Sequence, residues 1–253
     1  MSNITPGTNS VTPEKSGLGE QALNKMAEMA LASQMEEVEN LQVKVKVDPS
    51  NLAKGEVDSL AISGEGLVMH PDLRMAELQM QINSIAVKPL KALFGQIELV
   101  KPTDGTARIV LTAPDLDRAF NSEAISERLR QMVVHLDGEP VEIDSMQVVC
   151  NLLSDGIILK TEIVGCEGVS RLAFRSKPRI SADRQGIVLQ DIEYLEGKAS
   201  PELTNALVEW ASEILNLSNF ELEGISLRIH QLNVEVGKLI LLAEALVTQF
   251  PTS

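Results

Sequence analysis

Ala76-Glu77-Leu78-Gln79-Met80-Gln81-Ile82-Asn83 decides the fold class. Apolar and polar residues alternate without a break. An extended chain therefore sends Ala76, Leu78, Met80 and Ile82 to one side and Glu77, Gln79, Gln81 and Asn83 to the other. A helix would scatter the same pattern around its circumference. One dry face and one wet face belong to an antiparallel sheet rather than to a parallel sheet covered on both sides. Upstream, Val43, Val45 and Val47 alternate with Lys44 and Lys46. Downstream the period of two returns at Ile109 and Leu111, Val141 and Ile143, Ile157 and Leu159, Leu172 and Phe174, Ile187 and Leu189, and Leu227 and Ile229. After Ile229 the apolar positions become Leu232, Val234 and Val236, one residue out of phase, which predicts a bulge or bend near Gln231. Gly64-Glu65-Gly66 reads as a further bend in a strand pair, since a bare GxG with no following helix is no phosphate loop.

Helical periodicity interrupts the strands in three places. From Glu20 to about Glu39 the residues Leu23, Met26, Ala27, Ala30, Leu31, Met35 and Val38 recur mostly at spacings of three and four. The polar side of this helix is acidic, which favours packing on a core over lying on an anionic membrane. A second helical region opens at Thr112 and runs through Leu116, Ala119, Phe120, Ile125, Leu129 and Met132. Thr112 and Asp115 have the spacing of a capping box, with Asp in place of the usual Glu, and Asn121-Ser122 marks a kink or division. A third opens at Ser200-Pro201 and presents Leu203, Ala206, Leu207, Trp210, Ile214 and Leu217. Long helices between runs of strands read as α+β, with the helices packed on a large antiparallel sheet. Residues 1–19, rich in Ser, Thr, Pro, Gly and Asn, read as a disordered tail, and 20–253 as one domain with two pseudo-related halves, about 20–135 and 136–253.

One internal repeat stands out. Val47-Asp48-Pro49 leads to Gly55 and Val57-Asp58, and Val87-Lys88-Pro89 leads to Gly95 and Ile97-Glu98, 40 residues later. Proline ends a strand and glycine restarts one, so each copy is a strand–connector–strand unit. The second connector crowds Leu90, Leu93 and Phe94 between Lys88, Lys91 and Lys101. An apolar tip with basic flanks suits contact with a bilayer or the mouth of a lipid cavity, and a single helical turn on a sheet edge fits the same residues.

Charge and composition narrow the function. The formal net charge is -14, and aromatics are 3% of a chain that is 44% hydrophobic. Nucleic-acid binding needs a cationic face and usually aromatic platforms, so it is excluded. The first twenty residues carry neither a basic region nor an apolar run, which argues against a signal peptide, and no stretch is long enough to span a bilayer. Cys150 and Cys166 fall in expected strands and read as reduced thiols. His70, His135 and His230 are scattered, and no HExxH, CxxC or G-x-S-x-G motif is present. Asp115 and Asp117 are two apart and do not share a helix face. No acid, base and nucleophile assemble, so the chain reads as a non-enzyme without metal or cofactor. The 9 Met and the many Leu, Val and Ile would suit a slot for flexible acyl chains, and would equally fill an ordinary core.

Three stretches carry a resemblance. They are Val57-Asp58-Ser59-Leu60-Ala61-Ile62 with Gly64-Glu65-Gly66-Leu67, then Ala107-Arg108-Ile109-Val110-Leu111-Thr112-Ala113-Pro114-Asp115-Leu116-Asp117-Arg118-Ala119, and finally Phe220-Glu221-Leu222-Glu223-Gly224-Ile225-Ser226-Leu227 with Leu232, Val234, Gly237 and Leu239. Together they resemble the LmeA-like phospholipid-binding family, in the branch common in cyanobacteria. The resemblance implies an architecture related to the TULIP lipid-binding domains: a strongly bent antiparallel sheet wrapped around long helices, leaving an apolar groove. It also implies that the final Leu239–Phe250 segment is a strand, and binding or transfer of phospholipid or another acyl lipid without catalysis. Expected lipid-facing residues are Met75, Leu78, Met80 and Ile82 from a strand, Leu116, Phe120, Ile125 and Leu129 from one helical region, and Leu207, Trp210 and Ile214 from another. Leu90, Leu93 and Phe94, with Lys88 and Lys91, form the expected entrance or membrane contact. Envelope members of the family enter through a signal peptide, so its absence here points to the cytoplasmic side of an inner or thylakoid membrane, visited transiently. The rival is a protein-interaction module in membrane-protein assembly with a filled core. A hydrolase with an unrecognised site ranks third.

Overall fold

The computed structural model describes residues 18–52, 54–70, 73–88, 98–131, 134–136, 139–141, 143–165, 168–196, 201–220 and 222–249. In chain order the elements are α1 (Leu18–Ala32), β1 (Glu37–Lys46), α2 (Pro49–Leu52), β2 (Glu56–His70), β3 (Leu73–Ala86), β4 (Thr103–Thr112), α3 (Ala113–Phe120), α4 (Glu123–Arg130), β5 (Val134–Leu136), β6 (Glu139–Val141), β7 (Ile143–Leu153), β8 (Gly156–Gly165), β9 (Gly168–Ile180), β10 (Ile187–Glu196), α5 (Pro201–Ile214), a 3-10 turn (Leu217–Phe220), β11 (Ile225–Glu235) and β12 (Lys238–Val247). The class is α+β, and every strand pair is antiparallel.

The alternating stretch lies within β3, in a six-stranded sheet ordered β1-β2-β3-β4-β12-β11. Register carries its apolar residues into rows across the whole sheet. One row runs Val45, Leu60, Ile82, Gly105, Ala245, Leu227; the next runs Val43, Ile62, Met80, Ala107, Ala243, Ile229. Because opposed residues in a sheet share a face, these rows make one apolar wall. A four-stranded sheet, β10-β9-β8-β7, supplies the second wall. α3 touches β3 and β4 of the first sheet and β7 of the second, so it lies between them, with α4 on β7 and α5 on β10. At the far edge β11 contacts β7 and β9.

The larger sheet curls. The 3-10 turn touches both β2 and β11, which lie at opposite sides of the strand order. The Glu223 N–H also donates to Gln34 Oε1 at 3.1 Å, tying the segment before β11 to the segment before β1. The bulge expected near Gln231 is present, with the β11–β12 register shifting between Ile229 and Gln231. Arg184, at a positive φ of 63°, plugs it: its carbonyl accepts from the Ile229 N–H and its Nε donates to the Ile229 carbonyl, both at 2.8 Å. The Gly64–Gly66 bend is also present. Gly66 has φ 59° inside β2, and a Cβ there would lie 2.2 Å from Glu39 Cδ. Beside it the apolar period slips, so that Met75, paired with the region of Leu67, is buried although three positions from Leu78.

Four expectations are corrected. The first helix ends at Ala32, and residues 37–39 open β1 instead of closing the helix, because Glu36 N–H donates to Val68 O at 2.8 Å and Val38 pairs with Leu67. The second helical region is no long helix: it is two helices of 8 residues, divided at Asn121-Ser122, and its expected end at Met132 lies outside the described residues. Val141 and Ile143 belong to separate strands, β6 and β7. Val236 leaves the strand for the β11–β12 turn beside Gly237 and is 77% exposed. The closing strand is found as β12, and its expected last residue, Phe250, lies outside the described residues.

Candidate functional site

The site begins where α3 starts. Thr112 ends β4 and caps the helix, and the Asp115 carboxylate turns back to accept from the Thr112 N–H at 2.7 Å and from its hydroxyl at 2.6 Å. Asp115 is buried, and Arg74 of β3 meets its other oxygen at 2.7 Å while also reaching Glu39 at 2.8 Å. These two carboxylates stabilise the charged guanidinium and raise its pKa. The ion pair fixes the helix on the sheet, and Leu116 and Phe120 then face inward on its buried side.

At the other end of α3, Asn121 grips β7. Its Oδ1 accepts from Val148 N–H at 2.9 Å and its Nδ2 donates to Val148 O at 2.7 Å. One turn earlier Asp117 accepts from Cys150 N–H at 2.6 Å. Ser122 caps the next helix, accepting from Ile125 N–H at 3.4 Å. The break therefore turns Ile125 and Leu129 back into the interior, where both are buried.

The structure brings all the expected lipid-facing residues together. Met75, Leu78, Met80 and Ile82 from β3, Leu116 and Phe120 from α3, Ile125 and Leu129 from α4, and Leu207, Trp210 and Ile214 from α5 are buried in one continuous apolar cluster. That cluster includes the inner faces of both sheets. Of the expected entrance only Lys88 lies among the described residues. Lys88 pairs with Glu98, and its N–H donates to Glu98 O at 2.8 Å, next to a Val87–Leu99 bridge. Leu90, Lys91, Leu93 and Phe94 lie outside the described residues.

Among the described residues, two surface clefts that open to solvent stand out. The larger, about 560 Å³, lies between the end of α3 and the β7–β8 pair, lined by Asp117, Arg118, Asn121, Ser145, Met146, Gln147, Glu162 and Val164. The smaller, about 340 Å³, is lined by residues 222–226 and Thr248. Neither is lined by the buried residues named above. Among the described residues no group of three or more His, Cys, Asp or Glu could hold a metal ion, and no helix is long and apolar enough to cross a membrane. Cys150 is a buried free thiol whose pKa burial pushes up to about 12, with a smaller contribution from Asp117. It stays protonated and poorly nucleophilic near neutrality. Cys166 lies outside the described residues.

Sequence reasoning found the second wall only in part. On β8 the residues Ile157, Leu159, Thr161 and Ile163 are all buried, so Thr161 stands on an otherwise aliphatic face. The alternation that revealed Ile157 and Leu159 extends to Thr161 and would have found it.

Residues 15–244, most of the chain, match the family model described as LmeA-like phospholipid-binding. No curated protein and no solved structure matches the chain.

Proposed function

Because the chain belongs to the LmeA-like phospholipid-binding family, we propose that it holds the acyl chains of a phospholipid between the six-stranded sheet and α3, α4 and α5, without catalysis. The observation that carries this reading is the continuous aliphatic cluster shared by both sheets and all three helices. Leu, Met, Ile and Val side chains change rotamer at little cost and form a wall that a flexible chain can enter. The curl of the six-stranded sheet supports a TULIP-like arrangement, in which the sheet wraps its helices and the single domain opens to admit lipid. Met75, Leu78, Met80, Ile82, Leu116, Phe120, Ile125, Leu129, Leu207, Trp210 and Ile214 line the site on this reading. The 88–94 connector touches the bilayer, on the cytoplasmic side of the membrane. The net charge of -14 favours brief visits to an anionic surface over permanent adhesion, as a transfer protein requires.

The test is retention. Protein purified without detergent is mixed with phosphatidylcholine vesicles, separated by gel filtration and extracted. Stoichiometric phospholipid in the protein fraction supports the reading, and none contradicts it. One observation favours a second reading, an interaction module with a filled core: neither described cleft is lined by the expected lipid-facing residues. A stoichiometric protein partner captured by lipid-free protein would support that alternative.

A further inference from the structure

The inner wall of the four-stranded sheet contains one polar group left unpaired among the described residues. Thr161 is 3% exposed, at the middle of β8, flanked across the ladder by Val148 on β7 and Leu172 on β9. Its Oγ1 has no hydrogen-bond partner among the described residues. The strand's own backbone groups are engaged by β7 and β9 on either side. A buried hydroxyl without a partner destabilises the fold, and valine would fill the same space without that cost. Ser176, the other buried hydroxyl on this wall, donates to Ile157 O at 3.5 Å.

The surroundings state what the missing partner is. None of the buried residues on this wall carries a charge, so an anionic phosphate would enter without compensation. A neutral acceptor suits the site. Cys150, opposite Leu159 in the adjacent row, adds a second neutral donor on the same face. The next pair along the ladder, Gln147 and Glu162, points to the opposite, outer face of the sheet and lines the cleft of about 560 Å³ there, so that cleft does not adjoin Thr161. On the inner face an apolar wall surrounds a neutral donor. A glycerophospholipid carries neutral acceptors of this kind, its ester carbonyls, at the head of its acyl chains.

We propose that the Thr161 hydroxyl donates a hydrogen bond to an ester carbonyl of the bound phospholipid. The proposal rests on the phospholipid-binding reading above, and a choice of lipids separates the two. Detergent-free protein is equilibrated with vesicles holding equal amounts of diester and diether phosphatidylcholine of matched chains, and the retained lipid is quantified by mass spectrometry. Diether lipid lacks only the carbonyls. Wild type should retain diester over diether by about fivefold, the worth of one neutral hydrogen bond. Thr161→Val should lose that preference with its thermal midpoint unchanged or raised, and Thr161→Ser should keep it. Equal retention of the two lipids by wild type, or a preference surviving in Thr161→Val, overturns the proposal while the phospholipid-binding reading stands. A Thr161→Val protein that is markedly less stable shows the hydroxyl already satisfied within the fold, which also overturns it. No retained lipid of either kind in wild type contradicts the parent reading itself.

Discussion

Asp115 shows how one carboxylate can hold an architecture. It is buried and accepts from Thr112 and Arg74, so it caps α3 and fastens β3 to it at once. Its capping role was readable from the spacing of Thr112 and Asp115. Arg74 was not, because a partner 41 positions away leaves no local trace. Removing the carboxylate strands part of a guanidinium beside an apolar core. Asp115→Ala should therefore lower stability by about 3 kcal/mol in urea unfolding. Cys150 offers a prediction in pH. Its folded pKa is raised to about 12 from an ordinary value of 9.0, so the protonated thiol is favoured by folding. The associated stability is fully present below about pH 9 and is lost as pH rises toward 12. Cys150→Ala should flatten the fall of stability over that window, measured by chemical denaturation at each pH. Thr161 escaped notice for a different reason: a threonine in a strand is ordinary until its hydroxyl is seen to face apolar neighbours.

Helices close the edges of both sheets, and they do so with side chains that imitate a strand. Along β1, an edge strand, Glu28 accepts from Val43 N–H at 3.2 Å and Asn24 from Val45 N–H at 2.7 Å, both from α1. Along β7, the edge of the other sheet, Asn121 and Asp117 do the same from α3. An unprotected edge is a template for pairing with another chain. Asn24→Ala combined with Glu28→Ala should cost about 2 kcal/mol and shift the protein toward dimers or larger species in light scattering. A variant that stays at the wild-type mass would show that α1 covers the edge by bulk alone. The strands themselves were readable because register repeats one simple period. The helix ends were less so. Met35 and Val38 fit the helical spacing of α1, yet both are partly buried against the core from beyond the helix, Met35 in the connection and Val38 in β1. A spacing of three is compatible with either conformation when the segment wraps around a sheet edge. Asn121-Ser122 was readable as a division, because both residues prefer caps and turns.

For the molecule as a whole, the aliphatic richness of the chain resolves into two facing sheet walls with α3, α4 and α5 between them. The acidic balance is then a property of the outer surface. The sequence marked most residues of the inner cluster, because apolar alternation and helical periodicity both point inward. It did not reveal how the two sheets share one interior, since that depends on β11 and β12 returning to pair beside β4, more than a hundred residues after it. Nor does periodicity separate a residue that lines a lipid slot from one that fills a core: both are buried and apolar. Occupancy by a ligand is the distinguishing fact. Native mass spectrometry of protein purified without detergent measures it directly. Bound phospholipid should appear as a discrete mass added to the intact chain, one lipid per protein, released on raising the collision energy. A spectrum of bare protein, unchanged after incubation with phospholipid vesicles, would contradict the account.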